Sequence, residues 1–130
     1  MSIKTIFQVS PLAFMALLPL ASVQAALPSC SSASGGYCQY TGKVANLYVN
    51  SGNTILMYFD TPMDPANASV AGFSASNGNA GIVKIDENPE FAKLFYSTAL
   101  AAQASQRNVS VQMHGTVSGY LKIDRIWLKE

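Results

Sequence analysis

The chain has 130 residues, 49% of them hydrophobic, and its 8 basic and 7 acidic residues leave a formal charge of +1. That length suits one domain with a modest core. A charge so close to neutral, with no basic run, excludes an electrostatic grip on nucleic acid or on an anionic membrane surface.

The first residues, MSIKTIFQVSPLAFMALLPLASVQA, carry one charge, Lys4, then an apolar stretch from Leu12 to Leu20 and small residues at Val23 and Ala25. This is the pattern of a secretory signal peptide, with cleavage expected after Ala25. Pro11 and Pro19 interrupt the apolar stretch, which is too short to span a bilayer. The protein is therefore expected to be secreted or periplasmic, with no membrane span. Residues 26–39 form a Ser/Gly-rich loop holding both cysteines, Cys30 and Cys38. Outside the cytoplasm such a pair is expected to be bridged, as a staple for the N-terminal segment. The spacing is not that of a Cys-x-x-Cys redox motif. With His114 far away in sequence, a zinc site lacks its ligands. A rival reading makes Leu27-Pro28-Ser29-Cys30 a lipoprotein box with a lipid on Cys30, but Pro28 fits such a box poorly and the apolar run ends well before it.

From Thr41 to Asn50 the sequence alternates, with Ala45, Leu47 and Val49 on one side and Asn46 and Tyr48 on the other, which is strand periodicity. Ser51-Gly52-Asn53 turns the chain into TILMYFD, a β-branched and aromatic strand expected to be buried on both faces. TPMDPANAS reads as a loop. Ala71–Ser76 then predicts a weak strand, Asn77-Gly78-Asn79 a turn, and Gly81–Ile85 a further strand, giving a second hairpin. Asn88 is a helix cap, Pro89 suits the first helical position and Glu90 the positive end of the dipole. The helix is expected to run to Ser105, with Phe91, Leu94, Phe95, Thr98 and Ala102 as its buried stripe and alanine dense at 99, 101, 102 and 104. Val109, Val111 and Met113 point inward on the next strand, with Ser110, Gln112 and His114 outward. Gly115 to Gly119 turns, and in the last strand Leu121, Ile123 and Trp127 share one side, with Trp127 read as core. The order hairpin, hairpin, helix, hairpin predicts a mostly β domain over residues 40–130 with one helix: a small OB-fold-like Greek-key barrel, or failing that a two-layer α+β sandwich.

No set of residues announces a reaction. His114 is the only histidine, there is no Gly-x-Ser-x-Gly elbow, and Asp60, Asp64, Asp86 and Glu87 sit where turns call for acidic residues. No catalytic residue, metal or cofactor is expected. The aromatic residues are the better candidates, because sugars stack their apolar faces on rings while their hydroxyls seek polar neighbours. Trp127, Tyr120, Tyr37, Tyr40 and Tyr48 are these candidates, with the core reading preferred for Trp127.

The helix running through Phe95-Tyr96-Ser97-Thr98 into an alternating strand, together with Tyr40-Thr41-Gly42, resembles the pentameric B subunits of bacterial A–B toxins of the pertussis and subtilase cytotoxin type. The resemblance implies a ring of five OB-fold subunits with the helix from Pro89 to Ser105 nearest the axis, binding cell-surface glycans or a receptor and carrying an exported enzymatic subunit. The family's glycan-contacting serine falls on Thr41, which keeps the hydroxyl and adds a methyl group. Tyr40, Thr41, Gly42 and Tyr48 are thus the expected ligand-binding residues. The cysteines depart from the family, since both precede the barrel. The competing expectation is a secreted or periplasmic structural or inhibitory protein that caps another protein.

Overall fold

The computed structural model describes residues 27–130, and the expected signal peptide lies outside them. One mixed sheet of seven strands carries the architecture, in the order β1-β2-β6-β7-β5-β4-β3. The strands are β1 (Ser29–Ser31), β2 (Tyr37–Gly42), β3 (Val44–Asn50), β4 (Thr54–Phe59), β5 (Asn77–Lys84), β6 (Val109–Val117) and β7 (Tyr120–Leu128), with the helix α1 (Pro89–Ser105) between β5 and β6. All pairings are antiparallel except β5 with β7. Lys43 alone separates β2 from β3, which stand near opposite ends of the order. The sheet must curl for one residue to join them.

The hairpin of β3 and β4 forms as its sequence predicts, with Asn50 opposite Thr54 and Asn53 in the left-handed conformation. β4 is buried on both faces. Ile55, Met57 and Phe59 enter the main core, while Leu56 joins Ala80 and Ile82 in a small cluster on the reverse side. The second expected hairpin does not form. Residues 71–76 contain no strand; instead Pro65–Ala71 winds into a 3-10 turn. Pro65 presets the turn's φ, the Asp64 carboxylate accepts from the Ala66 N–H at 3.0 Å, and Gly72 ends it with φ +83°. Asn77-Gly78-Asn79, expected as a turn, lies inside β5. Gly78 is needed for close approach, since a β-carbon there would sit on the carbonyl oxygen of Met63, whose N–H donates to Gly78 O at 2.9 Å.

The last two strands hold two compensating irregularities. Gln112 faces Arg125 while Met113 faces Ile123, so Asp124 is an extra residue on β7. Further along, two residues of β6, His114 and Gly115, lie between the pairs Met113–Ile123 and Thr116–Leu121 against one on β7, and Gly115 has φ +71°. These are β-bulges, and each inverts the inward–outward alternation beyond it. The connection is tighter than the expected turn over Gly115–Gly119: Ser118 and Gly119, both at positive φ, make the two-residue loop favoured in hairpins.

α1 has its expected bounds. The Asn88 side chain accepts from the Phe91 N–H at 3.1 Å, Pro89 occupies the first turn, and Gln106 closes the helix in the left-handed conformation. Ala92, Phe95, Ala99 and Ala102 face the core. Leu94, expected in the buried stripe, is 69% exposed, because the 3-4-3 spacing of the buried set puts it on the far side. The staple is present: Cys30 and Cys38 are directly opposed on β1 and β2 and joined by a disulfide. The bond occupies the sulfur that a lipid anchor on Cys30 would need. Among the described residues, no helix is long and apolar enough to cross a membrane.

Candidate ligand-binding face

The tripeptide Tyr40-Thr41-Gly42 divides between the two sides of β2. Tyr40 is fully buried, stacked on Phe59 with ring centroids 4.3 Å apart. Its hydroxyl lies 2.5 Å from the Lys43 carbonyl and 2.6 Å from Asp60 Oδ1, either of which can take its proton, and it accepts from the Asp60 N–H at 3.1 Å. Asp60 Oδ2 in turn accepts from the Lys43 N–H at 3.2 Å. Burial, reinforced by the Asp60 carboxylate, pushes the phenol pKa well above its ordinary value. Gly42 completes this clamp, because a β-carbon there would lie 2.5 Å from the Tyr40 hydroxyl and 2.8 Å from Asp60 Oδ1. Tyr40 and Gly42 therefore hold the bend at Lys43, and the Tyr40 ring has no face open to a ligand. Tyr48 is exposed, but on β3, at the other end of the strand order from Thr41. The four expected residues do not converge.

Thr41 does belong to a constellation that sequence reading missed. Residues directly opposed on neighbouring strands share a face of the sheet, and the register lines up Thr41, Ser110 and Trp127 across β2, β6 and β7. The next row is Gln39, Gln112 and Arg125. Beyond it, the His114 ring lies 6.1 Å from that of Tyr37, and its Nε2 is 3.8 Å from Asp124 Oδ2. These rows form the outward face of three adjacent strands.

Hydrogen bonds order the polar part of this face. The Thr41 and Ser110 hydroxyls are 2.7 Å apart, Gln39 Nε2 donates to Ser110 Oγ at 3.3 Å, and Gln112 Nε2 donates to Gln39 Oε1 at 3.3 Å. Ser110 is only 5% exposed beneath its neighbours. Trp127 is 43% exposed at the end of the first row, not in the core. The Asp124 bulge sends Ile126 inward to the main core and Arg125 and Trp127 outward, which reverses the face read from simple alternation.

The face offers amide and hydroxyl groups beside an indole plane and one guanidinium, which suits a polar ligand with an apolar side. A serine–histidine relay within it fails on distance: Ser110 and His114 lie four residues apart on one strand, about 13 Å. Among the described residues, no group of three or more His, Cys, Asp or Glu side chains is placed to hold a metal ion. No protein-family model, no curated protein and no solved structure matches this chain.

Proposed function

We propose that the protein is an exported, non-catalytic glycan-binding module that works as a ring of identical subunits in the manner of a toxin B subunit. The carrying observation is the outward face of β2, β6 and β7, where the exposed Trp127 borders the hydrogen-bonded Thr41–Ser110 and Gln39–Gln112 pairs. Protein sites for sugars combine these elements: an aromatic plane for the apolar side of the ring and fixed donors and acceptors for its hydroxyls. Thr41, the position that the toxin resemblance marks, is in the first row, and Trp127 replaces Tyr40 and Tyr48 as the stacking residue.

The connectivity supports the OB-fold barrel. A first strand bent at Lys43 pairs through one half with β6 and through the other with β4, β5 and β7 run parallel, and the helix lies between β5 and β6. The outer side of α1 supports self-assembly. Leu94 and Leu100 are exposed there together with Ala101 and Ala104, and a ring with the helices near its axis would cover them. The Cys30–Cys38 disulfide fits an oxidising compartment.

A glycan array with purified, folded protein tests the reading. Binding to a defined set of glycans is the expected result. No binding by a sample shown to be folded and oligomeric would overturn it and leave the competing role, a structural or inhibitory protein that binds another protein.

A further inference from the structure

A different surface, independent of the glycan reading, carries a second assignment. β3 ends the strand order, so one side of it pairs with β4 and the other is an edge. Edge strands in natural proteins are usually guarded by lysine, proline, bulges or a covering element, because their free N–H and C=O groups are a template for another strand. The start of this one is guarded: a bulge falls between Val44 and Asn46, and Gln103 on α1 donates through Nε2 to the Ala45 carbonyl at 3.3 Å. From Asn46 to Asn50 the guard ends. The sequence NLYVN has no charge and no proline, all but Leu47 are exposed, and among the described residues no further strand pairs with this edge.

Beside the open stretch lies a groove of about 390 Å³ walled by Val49, Ile55, Ile85, Ala92 and Tyr96, with Lys93 the one charged residue on its border. Val49 and Ile55 are cross-strand partners and so share the face that turns toward α1. A strand added outside β3 would place the residue opposite Val49 on that same face, at the groove. Backbone pairing and a side-chain pocket thus sit in the arrangement used for β-strand addition.

We propose that the β3 edge from Asn46 to Asn50 is a docking site for an extended segment of a partner protein, one that adds as a strand and lowers one apolar side chain into the groove beside Val49. The segment is uncharged along the paired stretch, to match β3, and has a carboxylate beside its anchor to meet Lys93. Lys93 is available for this, since its contact with Glu90 is 3.7 Å long between two well-exposed side chains. The β3 strand of a second copy, paired edge to edge with this one, suits the site less well. On the groove side of β3 it could offer only Leu47, which is packed against its own core, and Val49, which already lines the groove.

A displayed library of random seven-residue peptides, panned on the purified protein, tests this. The expected winners alternate polar and apolar residues around one large apolar anchor. Val49→Lys and Tyr96→Lys, each checked for an unchanged circular dichroism spectrum, should each weaken them about tenfold or more by placing a charge at the edge or in the groove. N-methylation along a winning peptide should abolish binding at alternate positions only, because a strand turns every second N–H toward its neighbour. The proposal is overturned if no sequence is enriched, if winners ignore both substitutions, or if the methylation pattern lacks the two-residue period. Self-association that Val49→Lys abolishes, with no peptide enriched, would give the edge to a second copy and equally refute it.

Discussion

Tyr40 shows how a residue chosen for a binding role can instead hold the architecture. Its hydroxyl ties the Lys43 carbonyl to Asp60 at the one residue that joins β2 to β3. Tyr40→Phe leaves buried groups without their partner and should cost about 2 kcal/mol in a denaturant titration. The raised phenol pKa adds a pH signature. Up to the ordinary tyrosine value of 10.0, folded and unfolded chains both keep the proton. Above it the unfolded chain releases the proton while the folded chain retains it, so stability should fall as pH rises beyond that value, and Tyr40→Phe should remove this part of the alkaline slope. Trp127 is the opposite case. It looked like core because its neighbours are Ile126 and Leu128, and the single extra residue that turns it outward, Asp124, carries no sequence signal of a bulge. Being partly exposed, it can be changed to alanine with little effect on thermal midpoint, while glycan affinity should drop about tenfold or more if it is the stacking platform.

At the scale of elements, the strongly patterned segments were legible and the punctuated ones were not. The bounds of α1 were readable, because Asn88-Pro89-Glu90 is an unambiguous start, although its buried stripe was misplaced at Leu94. The alternation of Val109, Val111 and Met113 was equally clear. Asn77-Gly78-Asn79 misled because Gly78 serves the packing of Met63 and not a turn, a requirement that comes from a residue 15 positions away and leaves no local trace. Gly78→Ala should therefore destabilise the protein more than Gly35→Ala, where a β-carbon meets nothing within 4 Å and the cost is only the strain of a φ of +83°. The β1–β2 staple makes a milder prediction. The disulfide closes a loop of only eight positions near the start of the described chain, so Cys38→Ser should cost about 2 kcal/mol in thermal or chemical unfolding.

The whole molecule carries two surfaces with proposed roles: an outer helix face to assemble the ring, and the face of β2, β6 and β7 to bind glycan. Light scattering at micromolar concentration should give the mass of a pentamer. Ala101→Glu with Ala104→Glu should reduce it to a monomer of unchanged fold, because like charges would be gathered around one axis. The binding face can be read without labels, since Trp127 is the only tryptophan in the chain and its emission reports one place on the molecule. The decisive measurement is a fluorescence titration of the folded protein with the glycan that it retains best on an array. A saturable shift in Trp127 emission is expected, with a midpoint that matches the affinity found by calorimetry. Binding by calorimetry with no change in that emission would contradict the assignment of this face, and no binding to any glycan would contradict the function.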